Sequence, residues 1–129
     1  ERKAVDNTAY YDCCRTLLLE QLQRDRVIVA MNGGALVNEA APSTAFLNLR
    51  DCRGKGPLVL LLPARRKATC RDILYNRERR RNYVAPKKVV FQQFDARIKR
   101  MRKNADRIIY GCDPKKSARK IIHTYGLNE

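Results

Sequence analysis

The sequence is poor in the residues that build most active sites and metal centres. Its 129 residues include no tryptophan and one histidine, His123. No cysteine pair has the C-x-x-C spacing of a structural zinc site, and the glycines at 33 and 34 belong to no phosphate-binding motif. Its carboxylates are too isolated to bind a catalytic metal ion. We therefore predict that the protein is not an enzyme, and that it has no catalytic residues, no metal, no cofactor and no small-molecule substrate.

Signals of secretion and of membrane insertion are also missing. The five cysteines are odd in number and irregularly spaced, which argues against a secreted disulfide framework. The sequence has no N-x-[ST] glycosylation site, no signal-peptide core and no apolar run near the roughly 18 residues of a membrane span. We expect free, buried thiols and an intracellular, reducing location, in the nucleus or cytoplasm or within a nucleoprotein particle. Because the chain begins at Glu1 rather than Met, we expect a trimmed or processed product.

Positive charge is in excess, and the excess is confined to one half of the chain. The net charge is +15; residues 1–64 have 8 Lys and Arg against 7 Asp and Glu, whereas residues 65–129 have 20 against 6, a net of +14. The length and the hydrophobic fraction of 44% predict a single compact domain over residues 1–129. It would consist of a near-neutral scaffold half (1–64) and a basic binding half (65–129). Such asymmetry is typical of nucleic-acid binding and, less often, of binding to an anionic membrane.

In the near-neutral half, the pattern predicts a helix followed by strands. The helix covers residues 4–24, and its broad leucine face, Leu17, Leu18 and Leu22, predicts either a core face or an oligomer interface. Runs of β-branched and apolar residues predict strands at 26–31, 35–37 and 45–49, the first two as a hairpin. The apolar run between Pro57 and Pro63 predicts a central strand buried on both faces.

In the basic half, helical and strand-like patterns alternate. A helix is predicted from Thr69, a strand at 87–94, a helix at 95–109 and a last helix after the N-cap Asp113. The helix at 95–109 has the clearest periodicity, with apolar residues in steps of three and four and cations between them. The whole chain therefore predicts an α+β fold in which a small, mostly antiparallel sheet of about four to five strands packs with three to four helices.

The predicted nucleic-acid contact surface consists of the arginines and lysines of the basic half. Arginine suits this role because its planar guanidinium can bind a phosphate with two hydrogen bonds. Tyr75 and Tyr83 bracket the arginine cluster, and each is predicted either to stack on bases or to pack in the core. The predicted contact residues are Arg77, Arg79, Arg80, Arg81, Lys87, Lys88, Arg97, Arg100, Arg102, Lys103, Arg107, Lys115, Lys116, Arg119 and Lys120.

The residue types around this surface favour contact with the nucleic-acid backbone over base readout. On the polar face of the helix at 95–109, Asn104 is the one side chain suited to reading bases. The order strand, arginine-rich helix, strand, basic helix over residues 57–109 resembles the RRM-like domain of retrotransposon and insect-virus nucleic-acid-binding proteins. This resemblance concerns the order of elements and no shared motif, so no residue role follows from it.

These observations lead to hypotheses from three functional classes. The first is a non-enzymatic protein that binds RNA or DNA, with RNA or single strands slightly preferred, in packaging or ribonucleoprotein assembly. The alternative is an interaction or assembly module whose basic face binds an acidic protein partner. Binding to an anionic membrane is disfavoured, because an inserting helix needs exposed Trp or Phe. We also expect a homodimer, because the apolar faces exceed what one layer can bury.

Overall fold

The computed structural model describes residues 8–31, 33–81 and 85–127, which form five helices and two short strands. The chain divides into two compact units, Glu1–Pro57 (unit 1) and Leu58–Glu129 (unit 2). The prediction of a single domain over residues 1–129 stays a prediction, since two compact units can belong to one folding domain. The elements in chain order are α1 (Thr8–Leu22), α2 (Pro42–Arg53), β1 (Val59–Leu62), α3 (Lys67–Glu78), α4 (Lys87–Asn104), β2 (Arg107–Tyr110) and α5 (Pro114–Tyr125).

The predicted α+β fold with a four- to five-stranded, mostly antiparallel sheet is wrong. Within the described residues there is one sheet, and it has two parallel strands, β1 and β2. Leu60 pairs with Ile108, and Leu62 pairs with Tyr110. The apolar run between Pro57 and Pro63 does contain a strand, β1, but its expected central position and burial on both faces are wrong, because β1 has β2 as its one neighbour in this sheet and Leu61 is 56% exposed. The protein is therefore rich in helix and has little sheet.

Two of the predicted strands are helical because their apolar residues also have helical spacing. Residues 45–49 lie within α2, where Ala45, Asn48 and Cys52 are buried at steps of three and four. Residues 87–94 form the first part of α4, where Val90 and Phe94 continue in steps of four to the buried Ile98. In these stretches the three- and four-residue spacing outweighs the β-branched and aromatic composition. The element order that carried the resemblance to RRM-like domains is thereby overturned.

The predicted hairpin around the glycine pair is absent from the residues described there. Residues 27–31 have no regular secondary structure, residues 33–37 form turns, and Asn32 lies outside the described residues. Ile28 is exposed, so this β-branched run lacks the packing against a neighbouring strand from which β-propensity draws its stability.

Unit 1 is held together by a polar bridge between α1 and α2. The Arg15 guanidinium donates hydrogen bonds to Asn48 Oδ1 at 2.9 Å and to Asp51 Oδ2 at 2.7 Å. Asn48 is itself buried and donates to the Ala35 carbonyl at 2.9 Å. The Arg15 hydrogen bond, with a further contribution from Arg50, lowers the pKa of the Asp51 carboxyl below its ordinary value. Burial raises the pKa of the Cys52 thiol.

The core of unit 2 lies between the sheet and the helices α3 and α4. Leu62, Cys70 and Ile98 are its buried centre. The Cys70 thiol donates to the Ala64 carbonyl at 2.7 Å, which ties α3 to the end of β1. Five partly buried hydrophobic residues pack around this centre: Leu60, Ala64, Phe94, Ile108 and Tyr110.

The predicted helix at 95–109 begins earlier and ends earlier than expected. α4 starts at Lys87 and stops at Asn104, because the chain then pairs with β1. The Asp106 and Arg107 amides both donate to the Leu58 carbonyl, and the Asp106 carboxylate accepts from the Leu58 amide at 2.6 Å. Arg107 therefore opens β2 and is not part of a basic helical face.

The last predicted helix is confirmed as α5. The Asp113 carboxylate accepts hydrogen bonds from the amides of Lys115 and Lys116, as an N-cap should. Gly126 ends the helix in the left-handed conformation, with φ of 61°. None of the helices in the described part of the chain is both long and apolar enough to cross a membrane.

Candidate nucleic-acid interface

The boundary between the two units coincides with the boundary in charge. Residues 58–64 are uncharged, so unit 2 contains the 20 Lys and Arg and the 6 Asp and Glu of the basic half, and unit 1 has a net charge of +1. Electrostatic attraction for a polyanion is therefore concentrated in unit 2.

Most carboxylates in the described part of unit 2 have structural partners. Asp95 accepts from Lys67 and Arg71, each at 3.3 Å. Glu78 pairs with Arg81 at 3.1 Å. Asp106 and Asp113 accept from backbone amides, as described above. Six acidic residues can neutralise only a minority of 20 cations, so a strongly positive surface is left for an external anion.

The most ordered part of this surface is a ladder of cations and aromatic rings between α3 and α4. Residues 71 and 75 on α3 and Arg79, which caps the end of α3, follow each other at four-residue steps, as do 87, 91 and 95 on α4, so each set lines one face of its helix. The two sets meet in antiparallel order, with Arg71 bonded to Asp95 at one end. We call this set the cation–aromatic ladder; its residues are Arg71, Tyr75, Arg79, Lys87, Phe91 and Asp95.

In the middle of the ladder, the cations lie over the aromatic rings. Tyr75 and Phe91 meet edge to face, with ring centroids 6.1 Å apart. Lys87 Nζ lies 5.6 Å from the Tyr75 centroid and 5.3 Å from the Phe91 centroid. The Arg79 guanidinium is 5.9 Å from the Tyr75 centroid, and that of Arg71 is 4.9 Å from Phe91. All four distances are within the range of cation–π attraction.

A second group of cations lies where the two parallel strands end. Arg65, which follows β1, stacks over Tyr110 at the end of β2, 4.5 Å from the ring centroid. The Arg77 side chain reaches from α3 to the Cys112 sulfur at 3.8 Å, and Cys112 in turn contacts the Pro63 carbonyl at 3.4 Å. This brings the predicted contact residue Arg77 to the loop that leads into α5 and its first lysines, Lys115 and Lys116.

The structure brings some predicted contact residues together and leaves others apart. Arg79 and Lys87 meet in the ladder through Tyr75, and Arg77 meets the loop before α5. The remaining cations of α4 and α5 are distributed along their own helices, and Arg97 is partly buried. Tyr83 lies outside the described residues. The exposed cations among the predicted contacts are Arg77, Arg79, Arg80, Arg81, Lys87, Lys88, Arg100, Arg102, Lys103, Arg107, Lys115, Lys116, Arg119 and Lys120.

Sequence reasoning missed Arg65, Arg71 and Phe91 as parts of this surface. The four-residue spacing of Arg71, Tyr75 and Arg79 was present in the sequence and marks one helical face. The matching spacing on α4 was hidden because residues 87–94 were assigned to a strand, in which residues 87 and 91 would have had different neighbours.

The leucines of the predicted oligomer interface have three different environments. Leu18 is buried in unit 1, Leu22 is partly buried, and Leu17 is 54% exposed. Tyr10, seven residues before Leu17 on the same face of α1, is 58% exposed. A solvent-facing apolar stripe on α1 is thus formed by Tyr10 and Leu17 rather than by Leu18.

All five cysteines are free thiols, but only Cys52 and Cys70 are buried; Cys13 and Cys112 are exposed. In the described ranges, no three His, Cys, Asp or Glu side chains are grouped so that they could hold a metal ion. Comparison of the chain with known proteins found no matching family model, no matching curated protein and no matching solved structure.

Proposed function

We propose that the protein is a non-enzymatic nucleic-acid-binding protein that contacts mainly the phosphate backbone, with a role in packaging or ribonucleoprotein assembly. The observation that carries this proposal is the net charge of +14 in unit 2, where most described carboxylates are already paired or capping a helix. Cations without internal counter-charges release condensed ions from nucleic acid when they bind phosphates, and this release drives association.

The arrangement of the cations supports backbone contact rather than sequence readout. On α4 and α5, ten exposed lysines and arginines outnumber the two exposed amide side chains that could read adenine, Gln92 and Gln93. Contacts of this kind position a protein on nucleic acid without discriminating between bases. We further propose an intracellular, reducing location in the nucleus or cytoplasm, where the five free thiols would persist.

The test is a salt titration of binding to labelled RNA and DNA, followed by fluorescence anisotropy. The variant Arg79→Glu/Arg80→Glu reverses two exposed charges of unit 2. The control Arg24→Glu/Lys55→Glu makes the same charge change at exposed positions of unit 1. If the protein makes 6–10 phosphate contacts, its affinity falls by roughly 10³–10⁵ between low and moderate salt.

We expect the unit 2 variant to bind more weakly and to reduce the slope of log affinity against log salt by about two, one for each lost contact. The control should stay close to the parent protein. Affinity that does not change with salt, or equal losses in both variants, would refute a localised phosphate-binding surface.

A second candidate function is an assembly module whose basic face binds an acidic protein. The exposed Tyr10 and Leu17 on α1 favour this alternative, because an apolar stripe on a small protein is a common interaction site. Weak binding to every nucleic acid, together with tight binding to an acidic polypeptide such as polyglutamate, would support it.

A further inference from the structure

The aromatic rings of the cation–aromatic ladder already interact with side chains of the protein itself. Tyr75 has two cations near its ring, Arg79 at 5.9 Å and Lys87 at 5.6 Å, and the Phe91 ring at its edge or face. Phe91 has Arg71 at 4.9 Å and Lys87 at 5.3 Å. Stacking a base needs an open ring face, so a base would have to displace a cation from Tyr75.

The cations of the ladder differ in whether a carboxylate neutralises them. Arg71 is bonded to Asp95, which also binds Lys67. Arg79 and Lys87 are exposed, and no carboxylate among the described residues is within salt-bridge distance of them. The rings therefore restrain two uncompensated positive charges near each other without reducing them. Holding a long side chain in place before binding lowers the entropy lost when it meets a phosphate.

We infer that Tyr75 and Phe91 hold cations for phosphate binding and do not stack on bases, so that the ladder selects double-helical nucleic acid over single strands. This inference rests on the proposed function and replaces the sequence-based preference for RNA or single strands. Duplex DNA has one phosphate charge per about 1.7 Å of its axis, twice the density of one of its strands. The affinity of a surface that binds phosphates alone increases with that charge density, so such a surface prefers the duplex.

The experiment separates ring–cation from ring–base contact by combining protein variants with matched ligands. The ligands are a single-stranded DNA, an abasic strand with the same number of phosphates, and a duplex of equal length. The variants are Tyr75→Leu, which removes the ring, and Tyr75→Phe, which keeps it. Arg79→Gln/Lys87→Gln removes the cations and leaves the ring, and circular dichroism checks that each variant is folded.

The expected result is that Tyr75→Leu weakens binding to base-bearing and abasic strands alike, by about two- to fivefold. Tyr75→Phe should bind like the parent, since cation–π attraction needs the ring and not the hydroxyl. Arg79→Gln/Lys87→Gln should lose affinity for all three ligands, and the parent should bind the duplex most tightly.

Three results would overturn the inference. The first is that Tyr75→Leu lowers the affinity for base-bearing strands by about 5- to 150-fold and leaves the affinity for abasic strands unchanged, as base stacking predicts. Another is no effect of Tyr75→Leu on any ligand, and the third is tighter binding of single strands than of duplex by the parent. Failure of the proposed function itself differs from these, because the parent would then bind none of the three ligands in a salt-dependent way.

Discussion

At the scale of single residues, the described centre of the unit 2 core consists of three buried side chains, and Ile98 is the one that α4 contributes. We predict that Ile98→Ala lowers the free energy of unfolding by about 2–5 kcal/mol, because it removes buried methyl groups and leaves a cavity. Val89→Ala, at a half-exposed position of the same helix, should change it by less than about 0.5 kcal/mol. Urea denaturation followed by circular dichroism measures both; equal effects would contradict this core.

The candidate site was predictable from single residues only in part. The choice of Arg79 and Lys87 followed from charge alone, and both residues belong to the ladder. Their relation to each other did not follow, because it depends on Tyr75 and Phe91 meeting across two helices. Charge identifies a surface from sequence, but the neighbours of a charge depend on packing between elements distant in sequence.

At the scale of elements, the helices with clear ends were the predictable ones. Asp113 and Gly126 delimit α5 as expected, because capping depends on local backbone groups. The start of α4 was missed, since Lys87–Phe94 fits strand composition and helical spacing equally. The end of α4 was missed because it depends on Asp106 and Leu58, which are 48 residues apart. Pairing over such a distance leaves no local signal in the sequence.

The bridge between α1 and α2 gives unit 1 a predictable dependence on pH. The pKa of Asp51 is below its ordinary value of 3.8 in the folded protein because of the Arg15 hydrogen bond. As the pH falls, the Asp51 carboxylate is therefore protonated at a higher pH in the unfolded state than in the folded state. The stabilisation by Asp51 is complete well above pH 3.8 and is lost as the pH falls through the folded pKa.

We predict that Asp51→Asn destabilises the protein near neutral pH and that its difference from the parent shrinks in acid. Urea denaturation at a series of pH values down to the strongly acidic range measures this difference. Asp25→Asn removes an exposed carboxylate just beyond α1 and serves as the control, with little change near neutral pH. A deficit of Asp51→Asn that is constant across the pH range would contradict an ionised Asp51 as the origin of this stability.

At the scale of the whole molecule, the two units have different charges and therefore different tolerance for self-association. Bringing two copies of unit 2 together would oppose charges of +14, whereas unit 1 has a net charge of only +1. Like-charge repulsion is screened only beyond about 8–10 Å at physiological salt. A homodimer formed through unit 1 would avoid most of this repulsion and would provide two basic surfaces for one polyanion, raising its avidity.

We therefore predict that the proposed homodimer forms through α1, where Tyr10 and Leu17 are exposed on one face. Leu17→Lys places a charge in this apolar stripe and should shift the protein towards monomer in sedimentation velocity at high protein concentration. Gln23→Lys adds the same charge at an exposed position beyond the end of α1 and should leave association unchanged. Because the proposed phosphate-binding surface lies in unit 2, we expect Leu17→Lys to retain salt-dependent binding but to lose the gain from bivalency on long nucleic acids. This interface would be contradicted if the parent protein sediments as a monomer at all concentrations, or if Leu17→Lys dimerises as well as the parent. Neither result would bear on phosphate binding, which the salt titration tests separately.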